Sequence, residues 1–124
     1  MKNILLIPAT KLEKLNFLNK TALHYNSRNR GAGKHNSCSY ARGCAVGRHI
    51  RNKKLCAQLD KRDNSGVSYV FDELPLSLRK YGKAFLARVQ MLHDSEQNWN
   101  ADGITDVGLA VWEGIAKDVL KEKI

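Results

Sequence analysis

The chain has 124 residues, of which 43% are hydrophobic, and its formal net charge at pH 7 is +9. This length and composition suit one domain with a continuous core, so we expect a single domain over residues 1–124. Residues 1–19 form a helix or a peripheral N-terminal extension in this prediction. No run of eighteen apolar residues exists and the opening MKNILLIPA is too short for a signal peptide, so we expect a cytoplasmic protein without a membrane span.

The charge is distributed unevenly along the chain. Residues 1–62 contain fourteen Lys and Arg residues against two acids, a net charge of +12, whereas residues 63–124 contain seven against ten, a net charge of −3. Such asymmetry concentrates anions near one face of a protein. It favours nucleic acid, a nucleotide or an acidic protein surface as the partner.

The first predicted element is an amphipathic helix that begins after Thr10. Its apolar residues recur three and four positions apart and comprise Leu12, Leu15, Leu18, Ala22 and Tyr25. The Gly-, Asn- and Ser-rich residues 27–37 predict a basic loop. Residues 37–46 alternate weakly and predict either a short hairpin or a strand that runs into a helix at Cys44.

From Ala45 the apolar residues predict a helix with a break near residues 51–52. Without a break, Leu55 and Leu59 would lie opposite the preceding apolar stripe. The β-branched and aromatic residues at 67–71, VSYVF, then predict a short strand.

Three further elements complete the predicted fold. Residues 73–82 predict a short helix with Pro75 in its first turn, and residues 83–94 predict a longer one. After a loop at 95–103, a terminal helix is capped by Thr105 or Asp106. The predicted fold class is mainly α, a compact bundle of about five helices, with a short β-hairpin around residues 37–46 and 67–71.

Cysteines and histidines raise the question of a zinc site. Structural zinc sites usually take ligands in pairs separated by two to four residues. Here five residues separate Cys38 from Cys44 and eleven separate Cys44 from Cys56, which leaves His35 with Cys38 as the tight pair. We therefore predict no cofactor, and zinc held by Cys38, Cys44, His35 and His49 is the weaker alternative.

Cys44 is also a candidate nucleophile. It follows a glycine at a predicted helix start and has Arg42 and Arg48 nearby, which favours the thiolate. His93 and Asp94 would supply a base and its orienting carboxylate. The competing interpretation is that Cys44 packs in the core and that His93 ends its helix.

Phosphate recognition is the third candidate chemistry. Guanidinium groups match phosphate oxygens two at a time, and the nearby glycines let a ligand approach the main chain. The stretch GAGKHNS is not a Walker loop, because its glycine spacing is wrong and no apolar strand precedes it. The tyrosines either stack on bases or pack in the core. The predicted ligand-binding residues are Tyr25, Asn26, Arg28, Arg30, Tyr40, Arg42, Arg48 and Arg51.

Several short stretches occur in a recognisable order, namely HYNSRNR, CSY, CAVGRHI, and VQMLHD followed by NW. In this order the chain resembles a family of small uncharacterised proteins common in bacteriophage and prophage sequences. The family pattern is Tyr-Asn-x-x-Asn-Arg, Cys-x-Tyr, Cys-Ala-Val-Gly, and Gln-x-x-His-Asp near a tryptophan, and the resemblance covers about residues 20–120. The matching positions are Tyr25, Asn26, Asn29, Arg30, Cys38, Tyr40, Cys44, Ala45, Val46, Gly47, Arg48, Gln90, His93, Asp94 and Trp99.

The resemblance implies that the chain is a small accessory protein of a phage or mobile element. Together with the charge distribution, it predicts a non-enzymatic protein that binds a phosphate-bearing ligand, either nucleic acid or a nucleotide, through a basic surface from Arg28 to Arg51. One alternative is a cysteine-dependent enzyme that uses Cys44 and His93. The other is a module that binds an acidic host protein surface in host takeover or anti-defence.

Overall fold

The fold was analysed in a computed structural model that describes residues 8–29, 40, 43–62 and 66–122. The helices in these ranges are α1 (Lys11–His24), α2 (Lys53–Asp60), α3 (Val67–Val70), α4 (Leu76–Arg79), α5 (Lys83–Asp94) and α6 (Asp106–Lys121). Short 3-10 turns lie at Gly47–His49, Phe71–Glu73 and Glu96–Asn98, and an antiparallel hairpin is formed by β1 (Trp99–Asn100) and β2 (Gly103–Ile104). The predicted class, a mainly helical bundle with a small hairpin, is confirmed. None of the described helices combines the length and the apolar character that a membrane crossing requires.

Helix α1 begins at the predicted Thr10 cap, which forms a capping box with Glu13. The Thr10 hydroxyl accepts a hydrogen bond from the Glu13 N–H at 3.1 Å, and the Glu13 carboxylate accepts one from the Thr10 N–H at 3.0 Å. The predicted apolar stripe is wrong at its start, because Leu12 is 68% exposed. The buried face is rotated towards Phe17 and Leu18, which both lie in the core.

Helices α1 and α6 run antiparallel and pack against each other and against α5. At one end Lys11 Nζ donates to the Leu120 carbonyl at 3.1 Å, and further along Trp112 Nε1 donates to Asn19 Oδ1 at 3.0 Å. The centre of the core consists of side chains without exposed area: Leu18, Cys44, Val46, Val70, Leu86, Val89 and Leu92.

The helix break predicted near residues 51–52 is confirmed. The 3-10 turn ends at His49, and α2 starts after Asn52, whose side-chain oxygen accepts a hydrogen bond from the Leu55 N–H at 3.1 Å. Ile50 and Leu59 are both buried in the core. An uninterrupted helix would place these two side chains on opposite sides, so the break is what brings both inside.

The strand predicted at residues 67–71 is wrong, since this segment forms α3 and the start of a 3-10 turn. A strand would turn Val67 and Tyr69 to the same face. In the structure Val67 and Val70 are buried three positions apart, while Tyr69 is 67% exposed, which is a helical pattern. Of the other predicted hairpin segment, residues 37–39 and 41–42 lie outside the described residues, and residues 40, 43, 45 and 46 lie in turns.

The hairpin lies instead between α5 and α6, in the segment predicted as a loop. Trp99 pairs with Ile104 and Asn100 pairs with Gly103. The following helix is capped by the Thr105 hydroxyl, which accepts a hydrogen bond from the Gly108 N–H at 3.1 Å, as predicted. A Cβ atom at Gly108 would lie 2.6 Å from the Asn98 carbonyl oxygen, so the missing side chain lets this turn approach α6 closely.

Candidate functional site

Most of the predicted site residues that the structure describes gather around the C-terminal end of α1. Tyr25 and Tyr40 are buried, Asn26 is half-buried, and Arg28 and Arg51 are exposed. Arg30 and Arg42, together with the metal candidates His35 and Cys38, lie outside the described residues. The predicted set therefore divides into core residues and surface cations.

Tyr25 joins an aromatic cluster with residues that are distant in sequence. Its ring meets the His93 ring edge-on, with 4.6 Å between ring centroids, and the Trp99 ring at 5.9 Å. The Trp99 indole N–H points to the carbonyl oxygens of Leu92 and His93 at 3.1 and 3.0 Å. These contacts favour the core interpretation of Tyr25 over base stacking, because only 2% of this residue is exposed.

His93 and Asp94 form the pair that the sequence suggests. His93 Nδ1 lies 2.8 Å from Asp94 Oδ1, a geometry that indicates a protonated Nδ1 donating to the carboxylate. Gln90 Nε2 donates to the same carboxylate oxygen at 2.7 Å. Such a carboxylate orients an imidazole for proton transfer, but His93 has no exposed surface in this conformation.

The turn that contains Cys44 is held onto the rest of the core by side chains. The Tyr25 hydroxyl donates to the Gly43 carbonyl oxygen at 2.7 Å, and Gln90 Oε1 accepts a hydrogen bond from the Val46 N–H at 3.2 Å. The Gly47 N–H points to Cys44 Sγ at 3.3 Å. Gln90 thus connects the Cys44 turn with His93, and the thiol itself is fully buried. For Cys44 to attack a substrate, the turn would first have to open.

Asn26 and Asn29 shape the chain where it leaves α1. Asn26 Oδ1 accepts hydrogen bonds from the N–H groups of Arg28 and Asn29 at 2.8 and 2.9 Å. Asn29 Oδ1 accepts from the Asn26 N–H at 2.7 Å, and its amide donates to the His24 carbonyl oxygen at 2.9 Å. Both side chains therefore build a tight turn, which projects Arg28 into solvent.

The basic side chains around this end of α1 form what we call the basic face, which is defined by the cations Lys20, Arg28, Arg48 and Arg51 and by the imidazole of His24. The Arg48 guanidinium lies 5.8 Å from the centre of the Tyr25 ring. Its Nη1 is buried without a hydrogen-bond partner among the described residues. Burial, and then the charge of Arg48, lower the pKa of His24, so this imidazole is neutral at pH 7. Sequence reasoning missed Lys20 and His24, since both belong to a helix that was interpreted only by its apolar side.

Metal coordination finds no support within the described ranges, where no three His, Cys, Asp or Glu side chains converge. Cys44 and Cys56 are free thiols buried in the core. Burial raises the pKa of the Cys56 thiol, which therefore stays protonated. Of the four predicted zinc ligands, the described residues include only Cys44 and His49.

Comparisons with protein-family models, with curated proteins and with solved structures find no match for this chain. A function for it therefore has to be argued from the charge, the burial and the geometry of its own residues.

Proposed function

We propose that this protein is a small accessory protein of the phage type that binds a phosphate-bearing ligand, nucleic acid or nucleotide, in the host cytoplasm and without catalysis. The binding surface is the basic face, and Arg30 and Arg42, which lie outside the described residues, remain predicted ligand-binding residues. The observation that supports the proposal is that cations of this face lack a carboxylate partner among the described residues. Among the described residues, Lys20, Arg48 and Arg51 have no carboxylate within ion-pair distance.

Four cations elsewhere among the described residues have a carboxylate partner, whereas the described cations of the basic face have none. Lys80 pairs with Glu13 at 2.6 Å and Arg88 pairs with Asp118 at 2.5 Å. A carboxylate partner competes with a phosphate for the same donors. Lys20, Arg28 and Arg51 are exposed and have no such partner among the described residues, so their donors are available, which supports anion binding at the basic face.

Binding without catalysis is supported by the burial of the candidate catalytic residues. Cys44 and His93 have no exposed area and take part in core packing. A nucleophile and a base have to contact the reacting atoms of a substrate. The same basic face would also attract an acidic host protein, which is the remaining alternative.

The test is fluorescence anisotropy with labelled single-stranded and duplex oligonucleotides, with mononucleotides measured by calorimetry. For a polymer we expect affinity to fall steeply between about 50 and 200 mM salt, because neutralised phosphates release counterions. The variant Arg28→Gln/Arg51→Gln should weaken binding by about tenfold or more, since each lost charge-assisted contact contributes about 1.5–3 kcal/mol when it is formed.

The matched control is Lys117→Gln/Lys121→Gln, which removes the same charge from the exposed surface of α6. We expect it to leave the affinity within about twofold of the unmodified protein, because distant exposed charges are screened. Equal weakening by both variants would contradict a specific basic face. Absence of binding to every oligonucleotide and nucleotide at low salt would contradict the proposal itself.

A further inference from the structure

A cleft of about 780 Å³ lies between α1, the segment that joins the 3-10 turn to α2, and the Pro75–Tyr81 segment. This volume lies in the range of about 300–1,000 Å³ that small-molecule sites occupy. The cleft combines cations with apolar and amide-bearing side chains. The lining residues that matter here are Glu13, Asn16, Lys20, His49, Arg51 and Tyr81.

The two ends of the cleft differ in charge. Lys20 and Glu13 lie seven residues apart on α1, which separates them by about 10 Å along the helix axis. Lys20 and Arg51 both line the cleft and carry positive charge, and Lys20 lies close enough to the neutral His49 ring to contribute to the lowering of its pKa. Glu13 is already engaged, since it accepts hydrogen bonds from Lys80 at 2.6 Å and from the Thr10 N–H at 3.0 Å. These contacts, with that of Lys80 first, lower the pKa of its carboxyl.

His49 is the second independent feature of the cleft. Its ring packs on the Phe17 ring, with 4.6 Å between ring centroids, and its Nε2 is buried without a hydrogen-bond partner among the described residues. Burial, and then the charges of Arg48 and Lys20, lower its pKa to about 4. A buried polar atom without a partner costs free energy, and in the tautomer that carries its proton on Nε2 this N–H would donate to a phosphate oxygen bound in the cleft, which would remove that cost.

We infer that this cleft binds a nucleoside phosphate, with the phosphate at Lys20, His49 and Arg51 and the base towards Tyr81 and Glu13. The inference rests on the proposed function, because it names the class of phosphate-bearing ligand and the cleft next to Lys20 and Arg51 of the basic face as the place where it binds. The cationic end supplies donors to phosphate oxygens. Tyr81 is partly exposed and lines the cleft, where it offers an apolar contact to the base beside its packing on Phe17, and the Glu13 carboxylate would accept a hydrogen bond from an exocyclic amino group.

The experiment is calorimetric titration of the full chain with the four ribonucleoside 5′-monophosphates and with inorganic phosphate. The variant Ser77→Phe fills the cleft from an exposed position on α4 without a change of charge. Its control is Ser68→Phe, at an exposed position on the equally short α3 that does not line the cleft. We expect Ser77→Phe to weaken nucleotide binding by about tenfold or more and Ser68→Phe to leave it unchanged.

A second readout is the titration of the His49 ring by NMR. A phosphate beside the ring favours the imidazolium form, so saturating nucleotide should raise the pKa of His49. Lys20 and His24 on α1 and the adjacent Arg48 act on this ring both with and without nucleotide. The difference between the His49 pKa values in the two samples therefore reports the effect of the bound nucleotide. The variant Lys20→Gln should weaken nucleotide binding and reduce this rise.

Two results would overturn the inference. One is nucleotide binding that Ser77→Phe does not weaken, and the other is an unchanged pKa of His49 at saturation. If mononucleotides fail to bind while oligonucleotides bind and respond to Arg28→Gln/Arg51→Gln, the inference fails and the proposed function stands. If neither class of ligand binds, both fail.

Discussion

In the Cys44 turn, the space around a residue decides which side chain fits, and Gly47 is the clearest example. A Cβ atom at Gly47 would lie 2.5 Å from both the Cα and the carbonyl oxygen of Tyr40. Tyr40 is fixed in its turn, since its N–H donates to Asp60 Oδ1 at 2.8 Å and its side chain is buried. Because two backbone segments meet at this point, only glycine fits without displacement of one of them.

Gly47→Ala should therefore destabilise the protein by about 2 kcal/mol or more, since an added methyl group has to displace backbone. The matched control is Gly114→Ala in α6, where the nearest atom to the new Cβ is Arg88 Nη2 at 3.8 Å. That substitution should stabilise the protein by about 0.5–1 kcal/mol through helix propensity. Urea unfolding measures both changes. Equal effects of the two substitutions would contradict the close approach at Gly47.

Helix α5 acts as the element that fixes the candidate site. Its buried side includes Gln90 and His93, which lie three positions apart and so face the same direction. Gln90 accepts a hydrogen bond from the Val46 N–H and donates one to Asp94, so one amide joins the Cys44 turn to α5. The Cys44 thiol is inaccessible for as long as that connection holds.

Gln90→Ala should cost about 2–3 kcal/mol, because it leaves the buried Val46 N–H without its partner. It should also speed the alkylation of Cys44, since local opening of the turn exposes the thiol. Site-resolved mass spectrometry after iodoacetamide treatment measures this rate against Cys56, which lies on the buried side of α2 and serves as the internal control. If Cys44 is alkylated fast in the unmodified protein near pH 6, the thiol is reactive and the enzyme alternative is favoured.

At the scale of the whole molecule, segments distant in sequence converge on His49. Phe17 from α1 packs on its ring, and Tyr81 from the segment after α4 packs on Phe17 at 4.7 Å between ring centroids. This convergence buries the imidazole next to cations, which lowers its pKa to about 4 from an ordinary value of 6.5. The protonation of one ring is thus coupled to the global fold.

The sign of that coupling predicts a loss of stability in acid. Between about pH 6.5 and 4, His49 is protonated in the unfolded chain but stays neutral in the folded protein. The free energy of unfolding therefore falls as the pH drops. The shift of the pKa corresponds to about 3 kcal/mol at full burial, and the partial exposure of the ring reduces this to about 1–2 kcal/mol. Urea unfolding of the unmodified protein and His49→Gln at pH 7 and pH 5 measures the difference. The variant should lose less stability than the unmodified protein over this interval, and an identical loss would show that His49 is not the group responsible.

The sequence by itself determined the features that depend on neighbours along the chain. The cap at Thr10, the break near residues 51–52, the long helix at 83–94 and the cap at Thr105 follow from side chains within four positions of each other. The concentration of basic residues in the first half is likewise visible in the sequence.

Only the tertiary structure decided which of these residues meet. The segment at 67–71 has strand-like composition, yet it is helical because α3 packs on α5 with its valines three positions apart. The contact of Tyr25 with His93, and the cleft that joins Lys20 to Tyr81, each bring together residues about sixty or more positions apart. Such contacts depend on the shapes of several packed elements at once, whereas periodicity along the chain reports only which side of a single element is apolar.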